Sequence, residues 1–236
     1  QSVSAAIGSS GYAAFGLHGA SQDFAGSVAV YVPRAPLANP EVVAAFDGVG
    51  AGDRFGHSVA LSRELVVIGA RGYVSLYKCE NQTHLPVAVL YGAGDFGASV
   101  AVDGVVVVGA PSENQVQVFF ENGTLITTLT ASDASNLGAA VAVHGSIIVA
   151  GADEDDDQRG AVYLWRDYEF VAKLQAQDAQ PGDRLGVAVA IGGLSRGEAS
   201  LIAAGAPHRR GSGAVVVFDT EGEMKADFGM GSIGDG

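Results

Sequence analysis

The sequence contains a single cysteine, Cys79, among 236 residues. It therefore cannot form a disulfide within the chain, and no CxxC motif for a metal or redox site is present. We expect Cys79 to be either a free thiol or one half of an intermolecular disulfide. No apolar run reaches the roughly 18–20 residues that cross a bilayer, and the longest run is interrupted by Asp103. The sequence thus predicts no transmembrane segment.

Basic residues are also scarce. The chain has 13 Lys and Arg against 26 Asp and Glu, which gives a formal net charge of −13. Nucleic acids and anionic membrane surfaces bind through clustered Lys and Arg, and only Arg209 and Arg210 are clustered here. We therefore expect neither of these partners. The charge balance does not exclude cationic partners, metal ions or neutral sugars as ligands.

A six-residue block that begins with a turn residue and ends with an aromatic residue occurs five times. The copies are residues 26–31, 72–77, 114–119, 160–165 and 213–218. Their third and fifth positions are aliphatic, and such alternation between turn residues is typical of a β-strand. Each block follows a Val/Ala-rich strand and an apolar run with a Gly-containing turn. A fourth, less regular strand is predicted over residues 42–46, 87–90, 125–129, 170–174 and 224–228.

Four strands in each repeat match the blade of a β-propeller. We predict an all-β fold: a five-bladed β-propeller of four-stranded antiparallel blades, forming one domain. The repeats cover approximately residues 1–50, 51–92, 93–132, 133–178 and 179–236. Residues 234–236 are similar to the segment at 52–53 and residues 1–3 to 57–59, which favours a closed ring of five blades. The alternative is a fragment of a six- or seven-bladed propeller.

Two segments, DRFGHSVA at residues 53–60 and VVGAP at residues 107–111, resemble the two halves of an FG-GAP repeat. The Phe-Gly pair occurs at residues 55–56 and 96–97 and is replaced by Leu-Gly at residues 137–138 and 185–186. FG-GAP repeats build the propeller at the head of integrin α chains. The resemblance implies an extracellular or cell-surface module that binds a protein or matrix ligand through its loops and has no enzyme activity.

Two N-glycosylation patterns agree with an extracellular location. They begin at Asn81 and Asn122. The first residue is Gln1 rather than Met, as expected after removal of a secretory signal and equally for a segment excised from a longer chain. We therefore predict a secreted or cell-surface glycoprotein.

The densest charge in the sequence is the run of five acidic residues at 153–157. Asp153, Asp155 and Asp157 have the alternate spacing with which oxygen ligands wrap Ca²⁺. Gln158, however, stands where a calcium loop of this kind has a turn glycine. A calcium site and a solvated acidic loop without metal are therefore both open.

Alternate loops of a propeller emerge on opposite faces, so the loop positions predict a binding face. The residues predicted on it are Asp155, Asp156, Asp157, His18, His208 and Arg209. Asn81, Asn122 and Cys79 fall in loops of the opposite face. Two alternatives to protein or matrix binding remain: a structural subunit that self-assembles, with Cys79 as a candidate link, and a lectin-like propeller that binds glycans.

Overall fold

The structure is a computed structural model that describes residues 2–7, 12–18, 25–32, 41–50, 52–80, 83–192 and 200–229. These residues form twenty strands in five four-stranded sheets. Within each sheet, consecutive strands of the sequence are hydrogen-bonded neighbours, so each sheet is an antiparallel meander. The predicted all-β architecture of five four-stranded blades is confirmed.

The strand bounds are as follows. The first sheet contains β1 (Ser2–Ile7), β2 (Ala13–His18), β3 (Ser27–Val32) and β4 (Glu41–Asp47). The second contains β5 (Ser58–Leu61), β6 (Leu65–Ala70), β7 (Tyr73–Glu80) and β8 (Thr83–Tyr91). The third contains β9 (Ser99–Val102), β10 (Val105–Ala110), β11 (Gln115–Phe120) and β12 (Leu125–Thr130). The fourth contains β13 (Ala140–His144), β14 (Ile147–Ala152), β15 (Ala161–Arg166) and β16 (Glu169–Leu174). The fifth contains β17 (Ala188–Gly192), β18 (Leu201–Ala206), β19 (Ala214–Asp219) and β20 (Met224–Gly229).

The aromatic residue at the end of the repeated block follows a β-bulge. In four sheets the register between the third and fourth strands shifts at this point: Val30/Tyr31, Leu76/Tyr77, Leu164/Trp165 and Val217/Phe218. A bulge increases the local right-handed twist and redirects the following side chain. Phe119, Trp165 and Phe218 are buried, which agrees with a packing role for these aromatics.

The chain divides into two compact units by its internal contacts. The first comprises Gln1–Ala110 and Gln117–Thr127, and the second comprises Pro111–Val116 and Thr128–Gly236. In the first unit, Val74 and Leu76 of β7 belong to one buried cluster with Val108 of β10. In the second, Leu164 of β15 shares a cluster with Val216 of β19. Apolar side chains of these strands therefore pack between neighbouring sheets within each unit. A single-domain organisation stays a prediction.

Candidate functional site

The acidic run joins β14 to β15 in the second unit, and its backbone has an unusual conformation. Asp156, Asp157 and Gln158 have φ angles of 48°, 56° and 62°. This left-handed conformation costs a non-glycine residue roughly 1–2 kcal/mol, so three in succession must be held by their surroundings. The linker before β17 does so, because its amides donate hydrogen bonds to the carbonyls of Asp157, Gln158 and Arg159. We call residues 154–158 the acidic loop.

Asp153 lies immediately before this loop and Asp155 lies within it, and the two side chains have different partners. Asp153 accepts hydrogen bonds from Asn136 Nδ2 at 2.7 Å and from Arg184 Nη2 at 2.5 Å. Asp155 accepts one from the Tyr163 hydroxyl at 2.8 Å, and its Oδ2 lies 2.9 Å from the Lys173 ammonium. Both carboxylates are buried, and each is therefore neutralised by a basic side chain of this chain.

Lys173 is the centre of the network around Asp155. Its ammonium also lies 3.0 Å from Asp133 and 5.5 Å from the centroid of the Tyr163 ring, a cation–π distance. Burial acts to lower the pKa of Lys173, but hydrogen bonds from its ammonium to Asp155 and Asp133 outweigh it and raise this pKa above its ordinary value. The ammonium therefore stays charged.

This geometry bears on the predicted calcium site at Asp153, Asp155 and Asp157. Within the part of the chain that the structure describes, no group of three or more His, Cys, Asp and Glu side chains is arranged to hold a metal ion. Calcium would have to displace Arg184 from Asp153 and Lys173 from Asp155 before these carboxylates could converge. The calcium site stays a prediction.

The remaining acidic side chains of the loop face solvent. Glu154, Asp156 and Asp157 are exposed, and the Asp157 side chain is 85% accessible. Arg159 lies 3.3 Å from Asp156 and 3.7 Å from Asp157, so it limits the local charge without covering the loop. The solvent-facing part of the acidic loop is therefore anionic and accessible.

Arg209, predicted on the binding face, is instead buried, with only 1% of its side chain accessible. It donates hydrogen bonds to Asp178, to Asp183 at 2.9 Å and to Asp227 at 2.8 Å. Burial acts to lower the pKa of Arg209, but the hydrogen bonds to these carboxylates raise it. Distant parts of the chain thus supply the counter-charges that bury both Arg209 and Asp155, and the assignment of these two residues to the binding face stays a prediction.

The other predicted site residues are dispersed. His208 is exposed beside Arg209, and Asn122 is exposed in the turn between β11 and β12. His18 ends β2 and Cys79 lies in β7, but their side chains fall outside the described residues, as does the whole of Asn81. Their predicted roles are therefore untested.

The ion pairs predict a specific pH dependence of stability. Hydrogen bonds from Lys173 and from Arg209 lower the pKa of Asp133 and of Asp178, respectively. A carboxyl with a lowered folded-state pKa stabilises the fold above its unfolded pKa, about 4, and loses that contribution as the pH falls through the folded value. We expect the melting temperature to be steady from pH 7 to about pH 5 and to fall below about pH 4.

Calorimetry across this range measures the effect. Replacement of Asp178 by Asn should make the decline in melting temperature shallower, whereas Glu169→Asn, at an exposed position on β16, should leave it unchanged. A melting temperature that is constant down to pH 3 in the unmodified chain would contradict the assignment.

Comparison with protein families identifies one matching stretch. The model described as FG-GAP repeat matches residues 43–75, which run from β4 through β5 and β6 into β7. No curated protein matches the chain. The matched stretch contains Phe55-Gly56, the pair from which the resemblance was inferred, and Phe55 is buried between the first and second sheets. The chain therefore contains an FG-GAP repeat, as its sequence predicts.

Proposed function

We propose that this chain is an extracellular, non-catalytic FG-GAP propeller module that binds a protein or matrix ligand through the acidic loop. The observation that carries the proposal is the contrast within residues 153–157. Asp153 and Asp155 are buried in ion pairs that fix the loop, whereas Asp156 and Asp157 are left exposed in a left-handed turn. Strained backbone that its surroundings hold in place is frequently found at binding sites.

The perturbed pKa values favour binding over catalysis. General acid–base catalysts need pKa values near the working pH. In the described residues, the perturbed pKa values of Asp133, Asp178 and Asp219 are lowered, and those of Lys173, Lys225 and Arg209 are raised. Each shift moves the pKa further from pH 7, so the group stays charged at that pH. These side chains are thus suited to structural ion pairs.

The turn at Asn122 supports the proposed extracellular location. The Asn122 Oδ1 atom accepts a hydrogen bond from the Thr124 amide at 2.9 Å, while its exposed Nδ2 has no hydrogen-bond partner among the described residues. A glycan attached to Nδ2 would project into solvent. The described residues contain no helix long and apolar enough to span a membrane.

Charge reversal of the loop tests the proposal. We expect the double substitution Asp156→Lys and Asp157→Lys to weaken saturable binding of the labelled chain to intact source cells or their deposited matrix at least about tenfold, as loss of charge pairs at an interface does. The melting temperature should fall only modestly, because both side chains are exposed and the ion pairs with Arg159 that they lose lie at the surface. The matched control is Glu121→Lys with Glu169→Lys, which changes the net charge equally at exposed positions elsewhere.

The control should bind like the unmodified chain. If the loop variant also binds like the unmodified chain, or if the unmodified chain shows no saturable binding, the proposed function is wrong.

A further inference from the structure

The third and fourth strands of the sheets have equivalent pairs of residues. A glycine in the second strand marks equivalent positions in three sheets, since Gly69, Gly151 and Gly205 pair with Val74, Val162 and Val215. The next residue of the third strand and its partner in the fourth are then Ser75 with Val89, Tyr163 with Lys173, and Val216 with Asp227. These pairs occupy the same place in the second, fourth and fifth sheets.

In the fourth and fifth sheets this place holds a cation from the chain itself. The Lys173 ammonium lies over the Tyr163 ring and beside Asp155. The Arg209 guanidinium lies beside Asp227 and Asp183, the latter from the linker that precedes the fifth sheet. In both sheets a basic side chain thus lies among carboxylates at this place, from the fourth strand in the fourth sheet and from the loop between the second and third strands in the fifth.

In the second sheet the same place is an open cleft of about 290 Å³. We call it the tyrosine cleft, and its lining includes Asp47, Asp53, Phe55, Tyr73, Ser75 and Tyr91. Asp53 occupies the position that Asp183 has in the fifth sheet, because each is followed by Arg and an apolar-Gly pair. Each also accepts a hydrogen bond from an amide three residues earlier, that of Gly50 or of Gln180.

A row of three aromatic rings forms one side of the tyrosine cleft. The ring centroids of Phe55 and Tyr73 are 6.4 Å apart, and those of Tyr73 and Tyr91 are 6.3 Å apart. The row runs from a buried ring to one that is largely in solvent, since Phe55 is 2% and Tyr91 78% exposed. The Tyr73 hydroxyl donates a hydrogen bond to Asp53 at 3.2 Å, and Tyr73 is part of the cleft lining.

The tyrosine cleft carries negative charge, and its lining contains no basic side chain to balance it. Asp47 and Asp53 are its two charged residues, and no Lys, Arg or His lines it. Among the described residues, neither carboxylate has a salt-bridge partner of the kind that Asp155 and Asp183 have in Lys173 and Arg209. The fourth and fifth sheets have a cation at this place. The second sheet has two carboxylates and a row of aromatic rings there.

We propose that the tyrosine cleft binds a basic side chain, of arginine or lysine, from a partner protein. The cleft is close to the lower limit of roughly 300 Å³ for ligand pockets, so it suits a single side chain. A guanidinium or ammonium gains from the faces of Tyr73 and Tyr91 as well as from the carboxylates. The proposal rests on the proposed binding function only in taking the occupant to be a protein side chain.

Two other classes of ligand fit less well. An anion would be repelled by Asp47 and Asp53, which face the cleft without a counter-charge in its lining. A neutral sugar could stack on the tyrosines but would leave both carboxylates uncompensated, and burial of such charges is unfavourable.

Short peptides test the proposal by calorimetric or NMR titration of the full chain. The probe is a blocked tripeptide with arginine between two glycines, accompanied by its lysine analogue and by its citrulline analogue, which has the shape of arginine without the charge. We expect the two basic peptides to bind with a Kd of about 0.1–10 mM and the citrulline peptide to bind at least about tenfold more weakly. Equal binding of the citrulline peptide, or binding of methyl glucoside in place of the basic peptides, would overturn the proposal.

Variants locate the site. Tyr91→Ala should weaken binding of the arginine peptide about three- to tenfold, and Tyr91→Phe should leave it within about twofold, because the phenyl face remains. Asp47→Asn should weaken it by a similar factor to Tyr91→Ala. The control Tyr168→Ala removes an exposed tyrosine far along the chain and should have no effect. If Tyr91→Ala and Asp47→Asn both bind like the unmodified chain, the cleft is not the site.

Arg71 of the chain itself is the side chain that could compete with a partner's basic residue for the tyrosine cleft. It lies in the loop between β6 and β7, as Arg209 lies between β18 and β19, and it is exposed rather than part of the cleft. If basic peptides bind only after Arg71→Ala, the chain fills its own cleft and the proposal fails. The Asp156→Lys, Asp157→Lys variant should bind the arginine peptide normally, so failure here and failure of the acidic loop are distinguishable.

Discussion

Replacement of Arg209 by methionine is expected to lower the free energy of unfolding by about 3–5 kcal/mol, the usual cost of removing one partner of a buried ion pair. Methionine fills much of the same space, but Asp183 is buried and would lose its cation. Asp178 and Asp227 would retain Arg210, which lies 3.3 Å and 2.9 Å from them. Urea unfolding followed by the fluorescence of Trp165, the single tryptophan and a buried residue of the same unit, measures the loss.

The matched control is Arg210→Met, because Arg210 contacts Asp178 and Asp227 but is half exposed. Exposed ion pairs contribute about 0–1 kcal/mol, so this variant should unfold at nearly the same urea concentration as the unmodified chain. Equal losses of stability for Arg209→Met and Arg210→Met would show that the buried network has no special role.

Substitution of Gly160 by alanine should destabilise the second unit by about 3–5 kcal/mol, a magnitude typical of severe backbone and packing conflicts. Gly160 has a φ of 78° and pairs with Leu185 through an isolated parallel bridge. A Cβ atom on Gly160 would lie 2.2 Å from the Leu185 carbonyl oxygen and 2.3 Å from its amide nitrogen. Both atoms belong to the backbone of the linker, so they cannot move without disturbing the acidic loop. The same tryptophan fluorescence measures the effect.

Gly182→Ala separates the close approach from the conformational strain. Gly182 has a similar φ of 89°, but a Cβ atom there would have nothing within 4 Å. It should therefore cost only the roughly 1–2 kcal/mol of a left-handed alanine. Equal destabilisation by the two substitutions would mean that the Gly160–Leu185 contact does not determine the stability of this unit.

The strands could be predicted from the sequence because their pattern is local and repeated. β12 and β20 begin at the predicted residues, 125 and 224, and each extends one residue beyond the predicted end, to Thr130 and Gly229. β8, predicted over residues 87–90, is longer and begins at Thr83. Its first half contains Pro86 and lacks apolar alternation, so the pattern gave no signal there. Pro86 pairs with Tyr77 at the bulge, where a residue without an amide hydrogen is tolerated.

The ion pairs of the candidate site could not be predicted in the same way. Arg209 and Asp155 look like exposed loop residues because their immediate neighbours are polar. Arg209 meets Asp178 from 31 residues earlier, and Asp183 from 26 residues earlier. Alternation within one strand indicates which face of a sheet a side chain occupies, but it does not indicate the charge that the adjacent linker presents. Lys173 and Arg184 were missed for this reason.

The tyrosine cleft could be predicted from the sequence only in part. The position of Tyr77 at the end of the repeated block could be read from the sequence, whereas Tyr73 and Tyr91 meet only through the pairing of β7 with β8. Burial is the first cause that raises the pKa of Tyr73, to about 12, followed by the charge of Asp53 and the hydrogen bond to it. The fourth and fifth sheets have a cation at the place where the second sheet has a cleft. This difference becomes visible only when the pairing of the third and fourth strands is compared among the three sheets.

The most direct test of the account is mass spectrometry of the protein isolated from its source, with the peptide that contains Asn122 analysed before and after enzymatic removal of N-glycans. The account predicts that protein from the cell surface or the extracellular medium carries an N-glycan on Asn122, which is exposed in its turn. Recovery of the protein only from inside the cell, with Asn122 unmodified, would contradict an extracellular binding module.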